Sequence, residues 1–212
     1  MLCLVPTPIG NLEDISKRSL RILEEAELIF CEDTRVTKKL LNLLGEKNNL
    51  DFSNKEFKSF HSHNENHILQ TLDKDTFSKN IVYVSDAGMP CVSDPGATLV
   101  DYCIKNQIPY DVLPGANAIL TAYAMSGFSH TTFSFYGFLD HKGASRASKL
   151  SDVLNDDKLA ILYESPHRLL KLLEELKEKE PNRTIFLAKE ISKLHQKTFK
   201  SSALNLFNEF KN

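Results

Sequence analysis

Asp86 and Asp94 lie in a connection, Ser85 to Gly96 (SDAGMPCVSDPG), that follows a β-branched run and is longer than most strand-to-helix joins. A carboxylate directly after a strand, as Asp86 is, can accept hydrogen bonds from a ligand hydroxyl or amine. Asp94, followed by Pro95, has the pattern of a helix cap. Three other strand-end loops, Pro6-Thr7-Pro8-Ile9-Gly10-Asn11, Pro114-Gly115-Ala116-Asn117 and Glu164-Ser165-Pro166-His167-Arg168, also combine proline, small residues and polar groups. Ligands of α/β sheets sit at the carboxyl ends of strands, and prolines there would hold a cleft in shape before a ligand arrives. In Cys31-Glu32-Asp33-Thr34-Arg35, two carboxylates beside one Arg suit either a substrate contact or a salt bridge at a helix start. Arg168 opens a helix where the dipole disfavours a cation, so it calls for an ion-pair or ligand-side reason. His61, His63 and His67 have spacing that could gather a metal, but Glu65-Asn66 stands where a metallo-hydrolase would want an Asp-His pair. The simpler reading is a polar loop entering a helix capped by Asn64, with no metal.

Other chemistries are disfavoured. The eight glycines are never closer than Gly137 and Gly143, so no G-x-G-x-x-G, no P-loop and no glycine-rich Rossmann turn is present. Ala124 stands where a nucleophile elbow would want glycine ahead of Ser126-Gly127. With 26 Lys and Arg against 28 Asp and Glu, no overall basic field marks a nucleic-acid binder, although a local patch still could. No apolar run approaches the ~20 residues of a membrane span. Met1 to Pro6 reads as a first strand and not as a signal peptide, so a cytoplasmic location is expected. Cys3, Cys31, Cys91 and Cys103 are too far apart for a zinc knuckle or a disulfide framework and read as small buried residues.

The elements that must position these residues alternate in type. Short β-branched runs are expected as strands at Leu2 to Val5, Leu28 to Cys31, Phe57 to Phe60, Ile81 to Ser85, Tyr110 to Leu113, Thr132 to Tyr136, Leu159 to Tyr163 and Thr184 to Ala188. Helix-period runs separate them, among them Leu169, Leu172, Leu173 and Leu176 after Ser165-Pro166, and Leu99, Val100, Cys103 and Ile104 after Asp94-Pro95. The class is α/β with parallel strands and crossover helices. Gly137 to Ser148, small and basic, reads as a linker, placing an N-terminal lobe at 1–136 and a C-terminal lobe at 137–212. Glu174 to Glu180 reads as a solvated helix face, and Ala203 to Phe210 as a final helix.

Taken in order, Val5-Pro6-Thr7-Pro8-Ile9-Gly10-Asn11-Leu12-Glu13-Asp14-Ile15, Cys31 to Arg35, Phe60-His61 with Asn64-Glu65, Val84 to Pro90 with Ser93 to Gly96, Leu113 to Ala118, and Glu164 to Arg168 resemble the tetrapyrrole methylase superfamily. Within it they are most similar to the branch that methylates small-subunit ribosomal RNA. The resemblance implies a two-lobed fold with S-adenosylmethionine in a cleft between the lobes, a homodimer, and 2′-O-methylation of a cytidine in the decoding region of 16S rRNA, either naked or in the small ribosomal subunit. It implies cofactor contacts from Ile9, Asp86, Ala87, Met89, Asn117 and Ala118, with Tyr163 and Ala188 closing over the adenosine. Glu32 and Glu164 are then candidate general bases, and Arg35, Arg168 and Lys189 candidate contacts to RNA phosphates. Similar chains carry an acidic residue at Gln196 and continue beyond Asn212 into another strand and a helical extension, so an incomplete C-terminal lobe is expected. Methylation of a tetrapyrrole or other small molecule on the same fold is the alternative. A non-catalytic cofactor-binding or RNA-chaperone module and a metallo-hydrolase are the others.

Overall fold

The computed structural model describes residues 1–211; Asn212, where the sequence stops, lies outside them. Two compact units are present, Met1–Ala118 and Ile119–Asn212.

In the first unit β1 (Leu2–Leu4), β2 (Leu28–Cys31), β3 (Glu56–Ser59), β4 (Ile81–Val84) and β5 (Tyr110–Val112) form one parallel sheet in the order β3-β2-β4-β1-β5. The three inner strands are apolar and buried throughout, as a parallel sheet covered on both faces requires, while the edge strands β3 and β5 are partly exposed. Alternation divides the strand residues between two cores. Cys3, Ile29, Cys31, Val82 and Val84 pack with Leu23 of α1 (Lys17–Glu25) and Leu41 and Leu44 of α2 (Thr34–Asn48). Leu2, Leu4, Phe30, Ile81 and Tyr83 pack with Ile68 and Leu69 of α3 (Glu65–Thr71) and Leu99 and Cys103 of α4 (Ala97–Lys105). Ser16 caps α1 by accepting the Ser19 N–H, and Asp33 caps α2 by accepting the Arg35 N–H.

Two expected caps differ. Helix α4 begins after Gly96, not at Asp94-Pro95, because the Asp94 carboxyl is engaged by the Ser85 hydroxyl. Gly96 is needed there, since a Cβ would lie 2.6 Å from the Tyr83 ring. Asn64 precedes α3 without a side-chain cap; its amide instead accepts the His61 N–H (2.8 Å) and donates to the Ser59 carbonyl (3.1 Å).

In the second unit α5 (Ala118–Ser126) leads to β6 (Phe133–Phe138), α6 (Gly143–Asn155), β7 (Leu159–Tyr163), α7 (Pro166–Lys179), β8 (Thr184–Lys189), β9 (Lys197–Ser202) and α8 (Ala203–Phe210). Strands β6 and β7 are parallel. Strands β8 and β9 are antiparallel, because the turn between them is too short for a crossover. The expected linker is not one: Gly137 lies in β6 at a register shift, and residues from Gly143 onward form α6. The division between units instead follows Ala118. Composition misled here because Arg146, in a basic polar stretch, is buried and shares one face of α6 with Leu150 and Val153. Strand β9 was not expected either, since KTFKSS is polar at every position but Phe199. The four cysteines are free, three buried and Cys91 half-buried. Among the described residues no helix is long and apolar enough to cross a membrane.

Arg146, 2% exposed, holds the second unit together. Its Nε and Nη2 meet the Glu175 carboxylate at 3.0 and 2.7 Å, Nη1 donates to the Asp140 carbonyl at 2.9 Å, and Glu164 stands 3.7 Å away. Removing one member of a buried ion pair leaves a desolvated charge. Arg146→Ala is expected to cost roughly 3–5 kcal/mol in chemical denaturation. Arg146→Lys should recover only part of that loss, because an ammonium cannot reproduce the forked contact.

Candidate active site

Strands β1 and β4 lie side by side, but the chain leaves them toward opposite faces, β1 into α1 and β4 into α4. That divergence opens a crevice at the carboxyl ends of the two strands, the place where open α/β sheets bind ligands. Here the loops after β1 and β4 are fastened together. The Thr7 N–H donates to the Gly88 carbonyl and the Gly88 N–H to the Thr7 carbonyl, each at 3.0 Å. The Thr7 hydroxyl donates to the Ser85 carbonyl at 3.2 Å and accepts from the Gly88 N–H at 3.2 Å. Pro6 and Pro8 restrict the backbone on either side of Thr7.

The loop after β5 closes against the same place. A Cβ on Gly115 would lie 2.6 Å from Pro6 Cβ, and one on Gly88 would lie 3.2 Å from Ile9 Cγ2 and 3.7 Å from the Ala116 carbonyl. Ile9, Asp86, Ala87 and Met89 are thereby gathered on two joined loops, with Asn117 and Ala118 following on the third. All are half-buried except Ala87, which is exposed.

The loop after β2 joins them through a hydrogen bond from the Asp33 N–H to Asp86 Oδ1 at 3.2 Å. It brings a concentration of negative charge. Burial raises the Glu32 carboxyl pKa, and Asp86 and Asp94 raise it further. Asp86 is raised by burial and then by Asp33, partly offset by the Asp33 N–H. Asp94 is raised by burial and by Asp86, partly offset by its bond from Ser85. The Tyr83 hydroxyl, fully buried, has no hydrogen-bond partner among the described residues; burial raises its pKa, and Glu32, Cys91, Asp94 and Glu65 add to the shift. Asp33 behaves oppositely: its ion pair with Arg35 at 2.6 Å holds it at about 2, and it neutralises an Arg35 side chain that is 89% exposed. His61 Nδ1 accepts the His63 N–H at 3.3 Å, and among the described residues no three His, Cys, Asp or Glu side chains are grouped as a metal would need.

The remaining expected residues are in the second unit. Glu164, with a side chain 6% exposed, meets Arg168 at 2.7 Å and accepts the Ser165 N–H at 2.8 Å. Arg168 also donates to the Leu139 carbonyl (3.0 Å) and Ser165 Oγ (3.2 Å) and stands 6.0 Å over the Phe138 ring, so it has the ion-pair reason its position called for. Tyr163 ends β7 with its ring 5.1 Å from that of Phe135 and 5.4 Å from that of Phe138. Ala188 and Lys189 end β8 on opposite faces of the strand, the lysine exposed. Thr7, Ser85 and Tyr83 organise the first-unit site without having been singled out. A threonine between two prolines was the available sign of a locked loop. Nothing local distinguished a tyrosine inside an apolar strand.

The family model for tetrapyrrole (corrin/porphyrin) methylases matches residues 1–206. A protein of Campylobacter fetus subsp. fetus named Ribosomal RNA small subunit methyltransferase I is 49% identical, covering 100% of this chain and 79% of the relative. The protein of the same name from Helicobacter pylori strain 26695 is 45% identical over 94% of this chain and 74% of its own length. Among solved structures, uroporphyrin-III C-methyl transferase from Thermus thermophilus, complexed with S-adenosyl homocysteine, aligns with a TM-score of 0.63 at 15% identity, covering 98% of this chain and 90% of that one. That likeness establishes the shared fold, and the family match spans both units. The chain belongs to the tetrapyrrole (corrin/porphyrin) methylase family.

Proposed function

We propose that this chain is an S-adenosylmethionine-dependent methyltransferase of small-subunit ribosomal RNA, and that it methylates the 2′-oxygen of a cytidine in the decoding region. The ribosomal reading is carried by the 49% identity, over the whole chain, to a protein named for that activity. A homodimer in the cytoplasm belongs to the same reading.

The first-unit site suits the cofactor chemically. S-adenosylmethionine supplies a methyl group already activated by a positive sulfonium. Glu32, Asp86 and Asp94 place negative charge at a partly desolvated sheet edge, where a cation is favoured. The buried, unpartnered Tyr83 hydroxyl beside Glu32 and Asp94 is an unused donor at the same edge. Asp86 is assigned to the cofactor's amine or hydroxyl groups, with Ile9, Ala87, Met89, Asn117 and Ala118 shaping the walls. Tyr163 and Ala188 are assigned to the adenosine.

Holding a ribose hydroxyl in line with an activated methyl group supplies much of the rate, so the protein's remaining task is to accept one proton. Glu32 is the better base, because a raised pKa brings it toward neutral pH. Glu164 is already taken up by ion pairs with Arg168 at 2.7 Å and Arg146 at 3.7 Å, which leaves its carboxylate committed within the fold. Of the three cations assigned to RNA phosphates, Arg35 and Arg168 are paired with Asp33 and Glu164, whereas Lys189 projects from the end of β8.

Radiolabelled S-adenosylmethionine should transfer label to small ribosomal subunits from cells lacking this protein, and nuclease digestion should place it on one cytidine ribose. Label on a base, or on a tetrapyrrole and not on RNA, would overturn the assignment. Asp86→Ala should weaken cofactor binding by about 10- to 100-fold in calorimetry, the range for losing a charged hydrogen bond. Unchanged affinity would remove Asp86 from the site.

The raised carboxyl pKa values set the sign of a pH effect. Above them the cluster is anionic and attracts the sulfonium; as pH falls through them that attraction is lost. Affinity for S-adenosylmethionine should therefore begin to decline, as pH is lowered, before the ordinary carboxylate range of about 4 is reached. S-adenosylhomocysteine, with a neutral thioether, should decline less, and Asp86→Asn should flatten the difference.

A further inference from the structure

The hairpin of β8 and β9 carries charge that the fold does not use. Lys189 and Lys197 stand directly opposite each other in its register, where like charges repel, and among the described residues neither enters an ion pair. A third lysine, Lys193, lies in the connecting turn, where it meets Glu190 at 3.3 Å. The turn is ordered by its own bonds: the Lys193 N–H donates to the Glu190 carbonyl (2.9 Å), the Gln196 N–H to the Lys193 carbonyl (3.1 Å), and the Ser192 N–H to Gln196 Oε1 (2.8 Å). Gln196 closes the turn with a neutral amide, so the bond adds no negative charge to the tip. Leu194 projects from that tip 93% exposed, between Lys193 and an exposed His195. At the base of the hairpin the Phe199 and Phe210 rings meet edge to face at 4.9 Å, with Lys189 Nζ about 6 Å from each.

A preformed hairpin with uncompensated lysines and a bare apolar tip is matched to a polyanion that also offers apolar surface. RNA has both, in its phosphates and in its sugar and base faces. We propose that the β8–β9 hairpin is an RNA-docking element, with Lys189 and Lys197 on phosphates and Leu194 against sugar or base surface. The proposal rests on the ribosomal RNA reading above. It adds the place on the chain that holds the RNA away from the reacting ribose.

The test uses the full chain, a naked 16S rRNA fragment containing the decoding region, and small ribosomal subunits, with binding measured across a salt series. Lys189→Gln with Lys197→Gln should weaken binding about tenfold and make the dependence of log K on log salt shallower by about 1 to 2, since each lost phosphate contact removes ~0.7 to 0.9. Leu194→Ser should weaken binding with no change in slope. Affinity for S-adenosylmethionine should stay as in the parent. The charge-matched control Lys17→Gln with Lys39→Gln, on α1 and α2, should leave RNA binding within twofold.

Parent-like affinity and slope in the hairpin variants would overturn the docking assignment and leave the ribosomal reading intact. Equal losses in the control would reduce the effect to net charge and overturn it too. Loss confined to assembled subunits would place a ribosomal protein on the hairpin instead. A parent chain that binds cofactor but no RNA would sink the ribosomal reading and the hairpin's role with it.

Discussion

The mutual pair of backbone hydrogen bonds between Thr7 and Gly88 fixes two loops that the sheet sends in opposite directions, and the site cannot exist unless they stay together. Buried backbone groups must find partners, and a crevice at a strand-order reversal leaves loop backbone without a ladder to join. Thr7 resolves this with its backbone and its hydroxyl, meeting both Ser85 and Gly88. The third loop is then located by contact, since Gly115 rests against Pro6 with no room for a side chain. Three loop ends are thus set relative to one another by groups that are rigid or have no side chain to rearrange.

That rigidity bears on the charges it carries. Asp86, Glu32 and Asp94 are held partly desolvated near one another, each with its pKa raised above the ordinary carboxylate value. For such groups the folded state binds protons more tightly than the unfolded chain. Their contribution to stability is therefore present below the unfolded pKa of about 4 and lost as pH rises through the folded value. At neutral pH the unliganded site holds like charges at a cost. A cation bound beside these carboxylates would relieve that cost, which is the physical basis of the cofactor site proposed above. The bond from the Asp33 N–H to Asp86 ties the two loops at the cluster without neutralising it.

Much of this was legible in the residues, for identifiable reasons. Strands β2 and β7 fall where apolar runs place them, and Asp86 follows a strand as its position requires. The resemblance, not the patterning, supplied the cofactor and the substrate. What escaped was set by contacts distant in sequence. Asp94 has a cap's local signature, but Ser85 holds its carboxyl and α4 starts at Gly96's end of the loop. Gly143 to Ser148 has a linker's composition, but a carboxylate on α7 lets Arg146 enter the core and makes the stretch a helix. Strand β9 is polar at nearly every position, and its place follows from pairing with β8 and packing against α8.

The second unit shows that the number of cations on a surface says little about where an anion binds. Arg146 and Arg168 have the residue type of phosphate ligands and lie in the first turns of α6 and α7, yet Glu164 and Glu175 have already taken their charge, and the desolvation of those pairs removes them from competition for RNA. Arg35 is exposed, but it carries its own counter-charge in Asp33, 2.6 Å away. A cation serves a ligand when the fold leaves it uncompensated. The opposed lysines of the β8–β9 hairpin meet that condition: Lys189 and Lys197 repel in the free protein, and a phosphate between them converts that repulsion into attraction. The same principle underlies both proposed sites, with carboxylates crowded where the cofactor's cation is assigned and lysines crowded where the polyanion is assigned.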